Sequence, residues 1–150
     1  MPPLPAPATD ADISGIHLAD LNGDGIDDLI VLTHGGYPSY VYLNPGNGNF
    51  SAVTPTPIGS DSATNSGHST SVAVADIDND GVMDLVIGND GTSNMIYLGV
   101  PGPSPVKGDF SGVAGIRFGS TNGPTLDVEV GDIDGDGELD IAAANYKRPN

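Results

Sequence analysis

The stretch Ala19-Asp20-Leu21-Asn22-Gly23-Asp24-Gly25-Ile26-Asp27-Asp28-Leu29-Ile30-Val31 returns as Ala75-Asp76-Ile77-Asp78-Asn79-Asp80-Gly81-Val82-Met83-Asp84-Leu85-Val86-Ile87, and again from Gly131-Asp132 to Asp140-Ile141. Asp20, Asp76 and Asp132 stand 56 residues apart. A fixed period of this length is the mark of a repeat architecture. Between these anchors the register shifts and recovers. Val41-Tyr42-Leu43 matches Ile96-Tyr97-Leu98 at an offset of 55, and Asn49-Phe50-Ser51 matches Asp109-Phe110-Ser111 at an offset of 60. The insertions therefore fall in connections, around Gly35 to Ser39 and in Val100 to Pro105.

Each unit reads as four short strands. Strand one alternates, with Ile16 and Leu18, Val72 and Val74, or Val128 and Val130 on one face. Strand two is almost wholly apolar, from Leu29 to Leu32, Leu85 to Ile87 and Ile141 to Ala144, as a strand buried on both faces must be. Strand three is aromatic and β-branched, Tyr40 to Leu43 and Met95 to Leu98. Strand four is expected within Phe50 to Ile58 and Phe110 to Phe118, where Pro55 and Pro57 suit only an edge. Four-stranded antiparallel units repeated around an axis describe an all-β β-propeller. The expected organisation is a Pro-rich linker over 1–12, blade 1 over 13–66, blade 2 over 67–122 and the first half of blade 3 over 123–150. Closed propellers have about four to eight blades. About two and a half blades read as an incomplete propeller, either a fragment of a longer protein or a subunit that completes a ring with others.

Composition narrows the partners. Lys and Arg number 4 against 20 Asp and Glu, for a net charge of -16, which repels nucleic acid and anionic membrane surfaces. No apolar run approaches the length that spans a bilayer, so membrane insertion is not expected. The 22 Gly and 13 Pro mark hairpins and connections, while 37% hydrophobic residues in short clusters indicate folded strands. With no Cys there is no disulfide, thiolate metal site or cysteine nucleophile. The segment Met1 to Ala8 lacks the basic and apolar regions of a secretory signal.

Between strands one and two, each unit carries Asp-x-Asp/Asn-x-Asp-Gly-x-x-Asp. Oxygen donors at positions 1, 3, 5 and 9, with Gly at position 6 to reverse the chain, suit a hard cation that takes about six to eight oxygens. The expected ligands are Asp20, Asn22, Asp24 and Asp28; Asp76, Asp78, Asp80 and Asp84; and Asp132, Asp134, Asp136 and Asp140, with backbone carbonyls from Ile26, Val82 and Glu138. Calcium fits an all-oxygen, adaptable loop better than magnesium, which demands a stricter octahedron. Three Ca²⁺ sites, one per repeat, are expected. An EF-hand would need a bidentate Glu at position 12, where this chain has Val31, Ile87 and Ala143. A single loop of this composition would pass as an acidic turn. Turn chemistry does not require Asp at the same places in three units. The ligands also account for much of the charge, since three divalent ions would bring -16 to -10.

At these residues the chain resembles the FG-GAP/VCBS repeat family, best known from the β-propeller heads of integrin alpha chains. The matching elements are the three Asp-rich loops, Asp28-Leu29-Ile30-Val31 and Asp84-Leu85-Val86-Ile87, the Ile-Tyr-Leu strand and Phe118-Gly119, with Ile58-Gly59 a departure in the first unit. The resemblance spans Ile13 to Asn150. It implies calcium-stabilised blades in an extracellular or cell-surface protein with an adhesive or ligand-binding role. It transfers no ligand, because family members bind through variable loops on the opposite rim.

No catalytic constellation emerges. His17 replaces Ala73 and Glu129 of the other units and reads as a strand residue near the axis. His34 and His68 lie in Gly- and Ser-rich stretches without a zinc-like partner. Asp61, Ser62, Ser66, His68 and Ser69 lack a nucleophile-elbow motif and read as a polar connection. Gly23-Asp24-Gly25 and Gly135-Asp136-Gly137 lack the Lys of a phosphate loop. The expectation is a non-catalytic binding or adhesion module that presents variable loops to a protein or glycan partner, with the remaining blades supplied by the parent chain or other subunits. The alternatives are the scaffold of a propeller attached to a carbohydrate-active enzyme, and a purely structural spacer.

Overall fold

A computed structural model describes residues 12–59, 68–102, 107–119 and 123–146. Among them the chain is all-β apart from one 3₁₀ turn. Strands β1 (Asp12–Ala19), β2 (Asp28–His34), β3 (Tyr40–Tyr42) and β4 (Thr56–Pro57) form one antiparallel sheet in chain order. Strands β5 (Ser69–Ala75), β6 (Asp84–Asn89), β7 (Asn94–Tyr97) and β8 (Ile116–Phe118) form the second sheet in the same way. Strands β9 (Thr125–Gly131) and β10 (Asp140–Asn145) form a third, two-stranded sheet. None of the three closes on itself.

Register sorts the side chains into two faces per sheet. Leu29 lies opposite Leu18 and Tyr42, whereas Ile30 lies opposite His17 and Val41. Leu29, Val31 and Tyr42 form a front cluster covered by Tyr40, Phe50 and Val53. Ile30, Leu32 and Val41 turn to the opposite side and pack with Leu85, Ile87, Met95 and Tyr97 of the second sheet. The pattern then repeats. Val86 and Ala73, from the back of the second sheet, meet Val128, Val130 and Ile141 from the front of the third. Back therefore meets front at both seams, and β6 is sandwiched between its two neighbours while edge strand β8 keeps Ile116 half exposed. β2 is covered by the second sheet on its back and by Phe50 and Val53 on its front. Both strands are buried almost throughout, as continuous apolar strands should be.

Two hydroxyls tie the seams. The first strand of each unit carries an irregularity in register, at Ser14 and Thr70 in the first two units and at Leu126 in the third. Ser14 Oγ donates to the Ser69 carbonyl at 2.6 Å, and Thr70 Oγ1 to the Thr125 carbonyl at 2.5 Å. These bonds hold β1 beside β5 and β5 beside β9, so the three first strands run along one side of the stack.

The structure corrects several expectations. Strand four is much shorter than Phe50 to Ile58, because Asn49 accepts the Ser51 N–H and winds Phe50–Ala52 into the 3₁₀ turn. Only Thr56–Pro57 pairs, and it does so at the sheet edge, where Pro is tolerated. Its counterpart is confined to Ile116–Phe118. Ile16 and Leu18, on the front of β1, are 69% and 58% exposed, since no described element covers that face. Ala142 and Ala144 are exposed for the same reason on the back of the third sheet. The linker apart from Asp12, the insertion at 103–106 and the junctions at 60–67 and 120–122 lie outside the described residues.

Leu85, fully buried at the first seam, and Leu18, exposed on the equivalent face of the first unit, provide a direct comparison. Leu85→Ala is expected to cost about 2–5 kcal/mol, and Leu18→Ala no more than about 0.5 kcal/mol, both measured by urea denaturation. An equal loss at Leu18 would mean that its face is covered in solution.

Candidate metal centres

The three Asp-rich loops join β1 to β2, β5 to β6 and β9 to β10, and so lie at the same end of each unit. In the first loop the backbone wraps around position 1. Asp20 Oδ1 accepts the N–H groups of Gly23 (2.7 Å) and Asp24 (3.1 Å), and Oδ2 accepts that of Gly25 (2.8 Å). Asp76 takes Asp80 and Gly81 in the same manner, and Asp132 takes Gly135 and Gly137. The carboxylates at position 5 then accept the N–H groups of Ile26, Val82 and Glu138. The reversal needs a positive φ at position 6, where Gly25, Gly81 and Gly137 have φ of 83°, 83° and 93°. At position 4 Asn79 takes the place held by Gly23 and Gly135, with φ 58°, a conformation Asn tolerates.

Asp76, Asp78 and Asp84 each bring a carboxylate oxygen within 4.8 Å of the others, and so do Asp132, Asp134 and Asp136. Asp80 and Asp140 stand outside these triplets. In the first loop Asn22 Nδ2 donates to Asp24 Oδ2 at 3.1 Å. The donor set is all oxygen and mostly anionic, which suits a hard cation and offers nothing to a soft one. Two of the loops are thus acidic clusters able to hold a metal ion.

Position 9 has a further role that the sequence does not reveal. Asp28 and Asp84 are fully buried. Asp28 Oδ2 accepts the Leu21 N–H at 3.0 Å and its Oδ1 accepts that of Asn44, just beyond β3, at 2.7 Å. Asp84 does the same with Ile77 and Gly99, both at 2.7 Å. Asp140, partly exposed, holds Ile133 at 3.0 Å. Position 9 therefore bolts the loop to the following strand connection. Gly99 fits there because a Cβ would come within 2.5 Å of the Met83 carbonyl oxygen. The only sequence signal was the near-constant interval from this Asp to Asn44 or Gly99.

Burial raises the carboxyls of Asp28 and Asp84 above the ordinary 3.8. The backbone N–H bonds pull the other way, and the neighbouring carboxylates, Asp24 and Asp20 or Asp78 and Asp80, add to the rise.

The histidines do not assemble a site. His17 is exposed and borders a shallow cavity with Asp127 and Glu129. His34 ends β2 rather than lying in a loop, and an isolated bridge sets it against His68 with ring centroids 5.8 Å apart. Ser69 is buried and accepts from Ser39 Oγ at 3.2 Å. Asp61, Ser62 and Ser66 lie outside the described residues.

Repeating four-stranded antiparallel sheets, each with an oxygen-lined loop at one end, define a repeat protein. The FG-GAP-like repeat model matches residues 20–87 and 83–143, and the chain belongs to that family. Such repeats are modules of a propeller-like fold and are generally structural rather than catalytic. Among the curated proteins there is no significant match. No helix among the described residues is long and apolar enough to cross a membrane.

In metal-free buffer, Asp84 holds its proton in the folded chain at a pH where the unfolded chain has lost it. Its contribution to stability is fully present below about 3.8 and is lost as pH rises through its higher folded value. Asp84→Asn removes this titration and leaves one backbone N–H facing an amide nitrogen, at a cost of about 1–3 kcal/mol. The stability difference between wild type and variant should therefore shrink as pH rises from 4 towards 7, as read by chemical denaturation. A difference that grows with pH would contradict the burial effect.

Proposed function

We propose that the chain is a non-catalytic, calcium-binding part of a β-propeller, acting outside the cell or on its surface as an adhesion or ligand-binding module for a protein or glycan. The observation that carries the calcium reading is the convergence of Asp76, Asp78 and Asp84, and of Asp132, Asp134 and Asp136, within 4.8 Å in loops of the same register. Carboxylates so close repel one another, and a divalent cation relieves that repulsion. The side-chain ligands are Asp20, Asn22, Asp24 and Asp28 with their counterparts in the other two loops, assisted by the carbonyls of Ile26, Val82 and Glu138. When bound, calcium would supply charge neutralisation and a fixed loop shape.

The propeller reading is supported by back-to-front packing at both seams and by the alignment of the first strands. Each sheet has two different faces, so the packing does not exhaust itself after two units. The exposed Ile16 and Leu18 offer the next unit the same face that the second and third sheets bury. On this reading, further blades from the parent chain or other subunits occupy it, and the blade boundaries are 13–66, 67–122 and 123–150. Family membership supports the extracellular setting and the binding role.

Calcium in large excess over its dissociation constant should raise the melting temperature over that in EDTA. At a hundredfold excess each site contributes about 2.7 kcal/mol. Differential scanning calorimetry in calcium, magnesium and EDTA tests this, with magnesium giving the smaller rise. A curve that is the same in calcium and EDTA would refute the calcium reading.

A further inference from the structure

The first loop departs from the other two in its ligand set. Position 3 is Asn22, where the second and third loops have Asp78 and Asp134. Calcium affinity in such loops is tuned by the number of charged ligands, and this loop offers three side-chain carboxylates rather than four. The substitution also changes the metal-free state. Asn22 Nδ2 donates to Asp24 Oδ2 at 3.1 Å, a bond that a carboxylate at position 3 cannot make when ionised. Repulsion between positions 3 and 5, present in the other loops, is replaced here by attraction. A cation arriving at this loop has less repulsion to relieve and an existing hydrogen bond to compete with.

A second departure comes from the neighbouring unit. Lys107 lies over the first loop, so that a Cβ built on Gly23 would stand 3.2 Å from Lys107 Nζ. Its position follows from the packing beside it. Gly108 sits against Leu21 and Leu43 so closely that a Cβ there would lie 3.0 Å from Leu43 Cδ2. Phe110 is buried in the same core as Leu21, and its carbonyl accepts the Gly59 N–H at 2.9 Å. The segment is thus pinned to the seam, which places its ammonium beside Gly23 of the first loop. Lys107 and Asp20 also border an open cavity of about 330 Å³ between the units. One acid works in the opposite direction. Asp27 occupies position 8, where the other loops have Met83 and Leu139, but it is exposed and its field is screened by solvent.

Resting on the calcium reading above, we infer that the first loop is a weak calcium site beside two tighter ones, so that the three ions bind in two classes. Asn22 and Lys107 are the residues that set the difference. As calcium falls, the seam between the first two units loses its ion while the second and third loops keep theirs.

Calorimetric titration of the whole, initially metal-free chain with calcium chloride is expected to show two ions of similar affinity and a third at least about tenfold weaker. Asn22→Asp should tighten the weak class by about tenfold and leave the other two unchanged. Lys107→Met should tighten it several-fold at low ionic strength and less in high salt. Asp20→Ala should abolish the weak class alone. Circular dichroism in calcium verifies the fold of each variant, and if Asp20→Ala does not fold, the other two variants decide. Three ions of one affinity, a weak class unmoved by Asn22→Asp, or loss of a tight ion from folded Asp20→Ala would overturn the inference while leaving calcium binding intact. The absence of any calcium binding would instead overturn the reading on which it rests.

Discussion

A carboxylate buried at the root of a hairpin is tolerable only if its oxygens are satisfied, because burying an unpaired charge costs several kcal/mol (roughly, after relaxation). Asp28 and Asp84 meet this condition with two backbone N–H groups each, one from the loop before and one from the connection after β3 or β7. One side chain thereby fixes the loop, its distance from the third strand and the place where the chain leaves the sheet. The position-1 carboxylate organises the exposed part of the same loop, and the faces of β2 and β6 follow from where those strands begin. Displacing the position-9 carboxylate would unsettle the loop and the sheet together.

The fold was legible wherever a residue's role is set by its immediate neighbours. Loop boundaries and the two acidic clusters rest on Asp and Gly at fixed intervals, and the double-faced burial of β2 and β6 rests on unbroken apolar runs. The legible part stops where a residue's role depends on a partner distant in the chain. Nothing local marks Asp28 as the partner of Asn44, 16 residues on, or Lys107 as the neighbour of Gly23. Ile16 and Val72 read alike in sequence, yet Val72 packs against the first seam and Ile16 is exposed. The 3₁₀ turn at Phe50–Ala52 escaped because an aromatic, β-compatible segment was overruled by the Asn49 cap.

Acidity has two different meanings in this chain. The exposed carboxylates of the loops accept the loop's own N–H groups at the surface, whereas Asp28 and Asp84 are held by the backbone inside and resist ionisation because they are buried. A bound cation would oppose that resistance, since it favours the ionised form. A metal and a proton would thus compete for position 9.

The irregularity in each first strand has a consequence for how such repeats can be rearranged. Ser14 and Thr70 each donate a hydroxyl hydrogen bond to a carbonyl of the next unit, but the third unit has Leu126 at that place. Transplanting the first strand of the third unit into the first would leave the Ser69 carbonyl without its donor and set a leucine against it. The units share a backbone plan without being interchangeable parts. At each seam one hydroxyl, beside the apolar cluster that fills it, is matched to the unit that follows, so a faithful duplication of the fold must copy neighbours in pairs.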